Sequence, residues 1–204
     1  MTVEIQDDAE AHRAKMARIK AAKDRLYAGK TKEKGLIIVH TGTGKGKSTA
    51  AWGLAMRCLG HGLKLGVVQF VKGRSVPGER KFLERFPELV TIKVMGEGFT
   101  WETQDRARDI AAAEAAFAEV RQMLQDPDLH LLILDELNIV LRYDTLQVAD
   151  VLAALAAKRP SLHVVITGRN AKPELIEAAD LVTEMKLVKH PFRQGIKGQL
   201  GVEF

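Results

Sequence analysis

Only one cysteine stands in this chain of 204 residues. With Cys58 alone, no intramolecular disulfide can form and a cysteine-based zinc site within one chain is excluded. Its place inside an apolar helical run reads as packing rather than reactivity. Aromatic residues are scarce, at 5%, so two of them set close together in a glycine-flanked loop call for a reason beyond core filling. Long apolar runs are missing too: none approaches the roughly 20 residues of a membrane span. The first residues are acidic and lack the apolar centre of a signal peptide. A cytoplasmic protein with no membrane partner is the expectation.

What is present suits an ordinary globular domain, with 46% hydrophobic and 28% charged residues and enough chain for one substantial core. The net charge of +5 is unevenly spread. Glu10 to Gly35 holds nine Lys or Arg against three acidic residues, a net +6, which leaves −1 for the remainder. Across residues 7–28 only Met16, Ile19 and Leu26 form an apolar stripe, too thin for a helix buried within its own domain. A basic helical arm with a polar linker is therefore expected over residues 1–34, and one main domain over 35–204. A nucleic-acid site would have to use this arm, but a solvated helix face is the plainer reading, so no nucleic-acid partner is expected.

The main domain is organised around Gly35 to Thr49, Gly-Leu-Ile-Ile-Val-His-Thr-Gly-Thr-Gly-Lys-Gly-Lys-Ser-Thr. Leu36 to Val39 is a β-branched run suited to a buried parallel strand, and Lys47, Ser48 and Thr49 open an Ala-rich helix reaching about Leu59. Gly42, Gly44 and Gly46, spaced by Thr43 and Lys45, would let backbone N–H groups turn inward on a polyphosphate at the positive end of that helix. Lys47 would reach phosphate oxygens and the Ser48 hydroxyl a bound Mg²⁺. One position departs from the G-x-x-x-x-G-K-[ST] pattern: its first glycine is Thr41 here.

Further strands are expected at Leu65 to Val71, Val90 to Val94, Leu131 to Leu134, Val164 to Thr167 and Leu181 to Val188. Helices are expected over Gly78 to Phe86, Thr103 to Gln125 and Val148 to Ala157, the second closed by Asp126-Pro127. Strands separated by helices imply parallel crossovers. The fold expected is a three-layer αβα P-loop NTPase-like domain with a mostly parallel, about six-stranded sheet and its ligand at the strand C-terminal ends.

Those ends deliver polar groups. Four apolar residues followed by Asp135-Glu136 match the second nucleotide-binding motif of P-loop proteins, where a carboxylate holds Mg²⁺ directly or through water. Arg169 has the fork to grip a phosphate, with Asn170 beside it. An Mg·ATP site follows, and Lys47 and Glu136 are its candidate catalytic residues. The motifs do not choose between an ATPase, in which Glu136 would activate water, and a small-molecule kinase. A nucleic-acid-binding ATPase module is a third possibility at this level.

The loop Gly-Glu-Gly-Phe-Thr-Trp-Glu-Thr-Gln, residues 96–104, brings Phe99 and Trp101 to the same edge. With it, the chain resembles the P-loop-type ATP:corrinoid adenosyltransferases. The resemblance spans Gly-Thr-Gly-Lys-Gly-Lys-Ser-Thr at 42–49, Gly-Val-Val-Gln-Phe at 66–70, Leu-Asp-Glu-Leu-Asn at 134–138, Val-Ile-Thr-Gly-Arg-Asn-Ala at 165–171, Lys-His-Pro-Phe at 189–192 and the closing Gly-Val-Glu-Phe. It implies that a Co(I) corrinoid attacks the ribose 5′ carbon of ATP and releases triphosphate, in cobalamin biosynthesis or salvage, with the nucleotide reversed relative to ordinary P-loop enzymes. It also implies Mg²⁺ or Mn²⁺ held by Ser48, Asp135 and Glu136, a flavoprotein or other electron donor, and a homodimer whose basic arm folds over the corrinoid. Phe99 and Trp101 would lie beneath the corrin and clear its lower axial position, which eases reduction of Co(II). His190 is read as a turn residue, since cobalt in this reaction needs no protein imidazole.

Overall fold

The computed structural model describes residues 2–71, 76–94 and 105–203, with side chains from residue 9 onward. They fall into two units, Met1–Glu33 and Lys34–Phe204. The first is helix α1, Thr2–Ala28, which begins earlier than its apolar stripe suggested. Alanine, lysine and arginine, all strong helix formers, supply 13 of its 27 residues. Every described side chain on it is exposed, Met16, Ile19 and Leu26 included.

The second unit runs β1 Ile37–Thr41, α2 Lys47–Gly60, β2 Lys64–Gln69, α3 Gly78–Leu83, β3 Val90–Val94, α4 Arg106–Met123, β4 Leu129–Asp135, α5 Leu137–Arg142, α6 Val148–Ala156, β5 His163–Thr167, α7 Pro173–Ala178 and β6 Leu181–Glu184. The six strands are parallel and ordered β3-β2-β4-β5-β1-β6. Period-two alternation splits their apolar residues between two cores. Ile38, Val67, Ile133 and Val165 pack with Ala51, Trp52, Ala55 and Cys58 of α2 on one face. Val39, Val68, Leu132, Leu134 and Ile166 pack with Phe117 and Val120 of α4 and Val151 of α6 on the other. This is the three-layer αβα domain expected. Cys58 sits buried, and burial lifts its thiol pKa to about 11, which keeps it an unreactive packing group.

Several boundaries differ from the sequence reading, each for a local reason. Helix α4 starts at Arg106 because the Asp105 carboxylate caps it, accepting from the Arg108 amide at 3.1 Å. Strand β2 stops at Gln69 and α3 at Leu83, short of Val71 and Phe86. Strand β6 ends at Glu184 rather than Val188, because the next residue turns over the phosphate loop: the Met185 amide donates to the Thr41 carbonyl, and the Met185 carbonyl accepts from Gly44. Helices α5 and α7 were not read from the sequence. Each is six residues long.

Candidate active site

Four neighbouring strands place polar residues on one face at their C-terminal ends, where the pattern of alternation would otherwise continue apolar. Gln69 on β2 lies in register with Asp135 on β4, and His40 on β1 with Thr167 on β5. All four are buried. The Gln69 amide donates to Asp135 Oδ2 at 3.2 Å, and the Thr167 hydroxyl donates to Asp135 Oδ1 at 2.7 Å. Thr167 Oγ1 also accepts from the Glu136 amide at 2.9 Å. His40 has no hydrogen-bond partner on either ring nitrogen among the described residues, and burial lowers its pKa, so it is a neutral imidazole near pH 7.

The phosphate loop sits over β1 and leads into α2. Gly46 takes φ 103°, the left-handed region that a side chain would strain, and starts the helix at Lys47. A Cβ at Gly44 would fall 2.8 Å from the carbonyl oxygens of both Met185 and Lys186, so glycine here serves close backbone approach. The Gly44 amide, expected to face a polyphosphate, donates to the Met185 carbonyl at 2.6 Å. Lys47 is buried, and its ammonium donates to the carbonyls of Gly42 and Gly44. Burial lowers its pKa first of all; Glu136 opposes this, while Arg169 and Lys45 add to it. Lys45 is ion-paired with Glu203 near the far end of the chain.

Beyond β4, Glu136 is held in the left-handed region at φ 62° at the position just before α5, with no capping bond from its side chain. Its carboxyl pKa is pushed up to about 7, by burial first and by the Asp135 charge second, against the pull of Lys47 and Arg169. These couplings place Lys47, Glu136 and Arg169 in one electrostatic neighbourhood. Arg169 follows Gly168 at the end of β5, and Asn170 beside it is also left-handed, at φ 56°. A cleft of about 760 Å³ opens here. Ser48, Thr49, Asp135, Glu136 and Arg169 line one part of it, and Trp52, Ile139 and Tyr143 give it an apolar part.

Of the sequence-derived candidates, Ser48, Thr49, Asp135, Glu136 and Arg169 line this cleft, and Lys47 is coupled electrostatically to Glu136 and Arg169; Thr41 to Gly46 and Asn170 are not among its lining residues. Ser48, Asp135 and Glu136 offer only oxygen donors, and among the described residues no three His, Cys, Asp or Glu cluster as a metal cage. That set suits Mg²⁺, which takes one or two carboxylates and completes its shell with phosphate and water, and suits a soft or nitrogen-bound metal poorly. Thr43 and Lys45 are exposed on the loop, and Phe99 and Trp101 lie outside the described residues.

Residues 33–204 match the family model "ATP:corrinoid adenosyltransferase BtuR/CobO/CobP". The chain belongs to that family. A corrinoid adenosyltransferase of Pseudomonas aeruginosa is 57% identical over 95% of both chains. The corrinoid adenosyltransferase CobA of Salmonella typhimurium is 44% identical over 96% of this chain and 98% of its own. Among solved structures, the RadB recombinase superposes with a TM-score of 0.49 at 15% identity, over 78% of each chain, a likeness too partial to carry an argument.

Within this family member, sequence reasoning missed Gln69, Thr167 and Asn138 as parts of the site. Asn138 is fully buried and its side-chain amide donates to the Gly168 carbonyl at 3.0 Å. The signal was present: each is a polar residue at the end of an apolar strand or within an apolar helix, where hydrophobicity alone would place Val or Leu.

Proposed function

We propose that the cleft at the strand ends is where ATP and a reduced corrinoid meet. The chain transfers the 5′-deoxyadenosyl group of ATP to cobalt: the Co(I) electron pair forms the Co–C5′ bond, the C5′–O bond breaks, and its pair leaves with triphosphate. The metal of the substrate is itself the nucleophile, so no protein base is needed for the bond-forming step. The protein's tasks are orientation and charge. Lys47, Arg169 and loop amides other than that of Gly44, which is bonded to Met185, stabilise the developing charge on triphosphate once the nucleotide is bound. Lys47 now satisfies two loop carbonyls, so nucleotide binding exchanges those bonds for phosphate oxygens. Mg²⁺ or Mn²⁺, when bound, supplies a Lewis acid that neutralises the polyphosphate. Ser48, Asp135 and Glu136 would hold it, with the Asp135 carboxylate oriented by Gln69 and Thr167.

By resemblance to the family, Phe99 and Trp101 would clear the lower face of the corrin, and the basic arm of residues 1–34 would cover the corrinoid from the neighbouring subunit of a homodimer. A flavoprotein or other one-electron donor supplies Co(I), and the setting is cytoplasmic. What supports the reading is one observation: in a member of this family, Ser48 and Thr49 at the end of the phosphate loop line a single cleft with an oxygen-only carboxylate pair and an apolar wall. The test is mass spectrometry of a reaction with ATP, chemically reduced corrinoid and Mg²⁺. Adenosylcorrinoid with triphosphate is the expected product, whereas ADP with phosphate would return the protein to the ATPases.

A further inference from the structure

We propose that Thr167, with Gln69 as its counterpart, is the positioning residue that holds the Asp135-Glu136 pair ready for the divalent metal. The inference rests on the metal reading above. Asp135 has a protein donor on each carboxylate oxygen, Thr167 on Oδ1 at 2.7 Å and Gln69 on Oδ2 at 3.2 Å. The carboxylate plane is thereby fixed from two neighbouring strands. The Thr167 hydroxyl does a second thing at the same time: it accepts from the Glu136 amide at 2.9 Å. One side chain thus orients one carboxylate and the backbone that carries the other.

That second bond falls where the backbone most needs it. Glu136 is not a glycine, yet it sits at φ 62°, a strained conformation for such residues that is maintained only where surroundings impose it. The adjoining end of β5 imposes it from the other side as well. Gly168, at φ 123°, packs so closely that a Cβ there would lie 2.8 Å from Asn138 Cβ and 3.2 Å from Glu136 Oε2. Asn138 returns a hydrogen bond to the Gly168 carbonyl. The end of β5 is therefore a clamp on the end of β4, and Thr167, with no exposed surface, is its hydrogen-bonding centre. Outer partners of this kind set metal affinity because they fix the orientation of the ligands.

A packing role would be met equally by valine, which has the same shape without the hydroxyl; a positioning role would not. The experiment measures Mn²⁺ affinity by electron paramagnetic resonance in the full-length protein with inorganic tripolyphosphate, so no turnover is required. Thr167→Val should weaken Mn²⁺ binding about 10–100-fold while retaining a cooperative thermal transition, and Thr167→Ser should stay within about threefold of the parent. Parent-like Mn²⁺ affinity in Thr167→Val would overturn the proposal, as would a Thr167→Ser variant as weak as the valine. Should Thr167→Val lose its cooperative transition, Gln69→Leu carries the test: weakened Mn²⁺ binding with the fold intact supports the clamp, and unchanged binding overturns it. A parent protein that bound Mn²⁺ but gave no triphosphate from ATP and Co(I) corrinoid would instead sink the adenosyltransferase reading and leave the clamp standing.

Discussion

The hydroxyl of Thr41 accepts a hydrogen bond from the backbone amide of Ala171 at 3.0 Å, tying the phosphate loop to the loop that carries Arg169. Thr41 is the position where the common phosphate-loop pattern has glycine, and the structure gives the substitution a use. A glycine would leave the Ala171 amide without this partner and the arginine loop free of the phosphate loop. The tie is buried on the Thr41 side, so its loss is not readily made good by water.

From this follows the first prediction. Thr41→Val keeps the shape of the side chain and removes the acceptor. A buried hydrogen bond is worth about 1 kcal/mol, so the KM for ATP should rise about fivefold, with Thr41→Ser close to the parent. Steady-state kinetics with corrinoid already reduced to Co(I) reads this directly. An unchanged KM in the valine variant would mean that the two loops hold their places independently.

Glu136 supplies a prediction about pH. Its carboxyl pKa is raised to about 7 in the folded chain, against 4.5 ordinarily. The folded state therefore binds more protons than the unfolded state between these values, and metal-free stability attributable to Glu136 falls as pH rises through that window. Glu136→Gln, which stays neutral throughout, should stabilise the metal-free protein at pH 8 by on the order of 3 kcal/mol and change little at pH 4.5. Urea denaturation at the two pH values, in the presence of chelator, is the measurement. A variant equally destabilised at both would show that the carboxylate is not held against its preference.

His40 pulls in the other direction. Its folded pKa lies below the ordinary 6.5, so its contribution to stability is complete above that value and declines as pH falls through 6.5 toward the folded pKa. Replacing it with phenylalanine removes two buried nitrogens that have no partner among the described residues. The variant should be more stable than the parent by about 1–3 kcal/mol, and the gain should widen between pH 8 and pH 5.5. A loss of stability at both pH values would indicate that the imidazole nitrogens are satisfied by buried water.

These residues show where sequence reading reaches and where it stops. The order of strands and helices was legible because each strand is a short apolar run bounded by turn residues, and the phosphate loop and Asp135-Glu136 were legible because their chemistry is written in adjacent residues. Gln69 and Thr167 were not read as site residues, and Thr41, placed in the phosphate loop, was not read as tied to Ala171, because the partners lie 66, 32 and 130 positions away, respectively. Only the parallel register of β1, β2, β4 and β5 brings them side by side. The same distance hid the shortening of β6, since nothing in Met185 itself foretells that its carbonyl will accept from Gly44.

The last prediction concerns the basic arm. From residue 9 its described side chains are exposed, so it lends the sheet little apolar burial, whereas the residues just beyond it are fastened to the main unit. Lys34 is ion-paired with Asp180, the Gly35 amide donates to the Pro160 carbonyl, Lys158 donates to the Gly35 carbonyl, and the Ile37 amide donates to Asp180. The natural cut therefore lies before Lys34. Deletion of residues 1–33 should leave a single cooperative thermal transition within a few degrees of the parent's and near-parental affinity for tripolyphosphate, because the phosphate loop and its ties all lie beyond the cut. The KM for Co(I) corrinoid should rise by tenfold or more if the arm covers that substrate, a burial worth about 1.4 kcal/mol or above. Calorimetry and kinetics on the truncated chain separate the possibilities. A broadened or lost transition would make the arm part of the fold, and an unchanged corrinoid KM with intact folding would remove it from the active site.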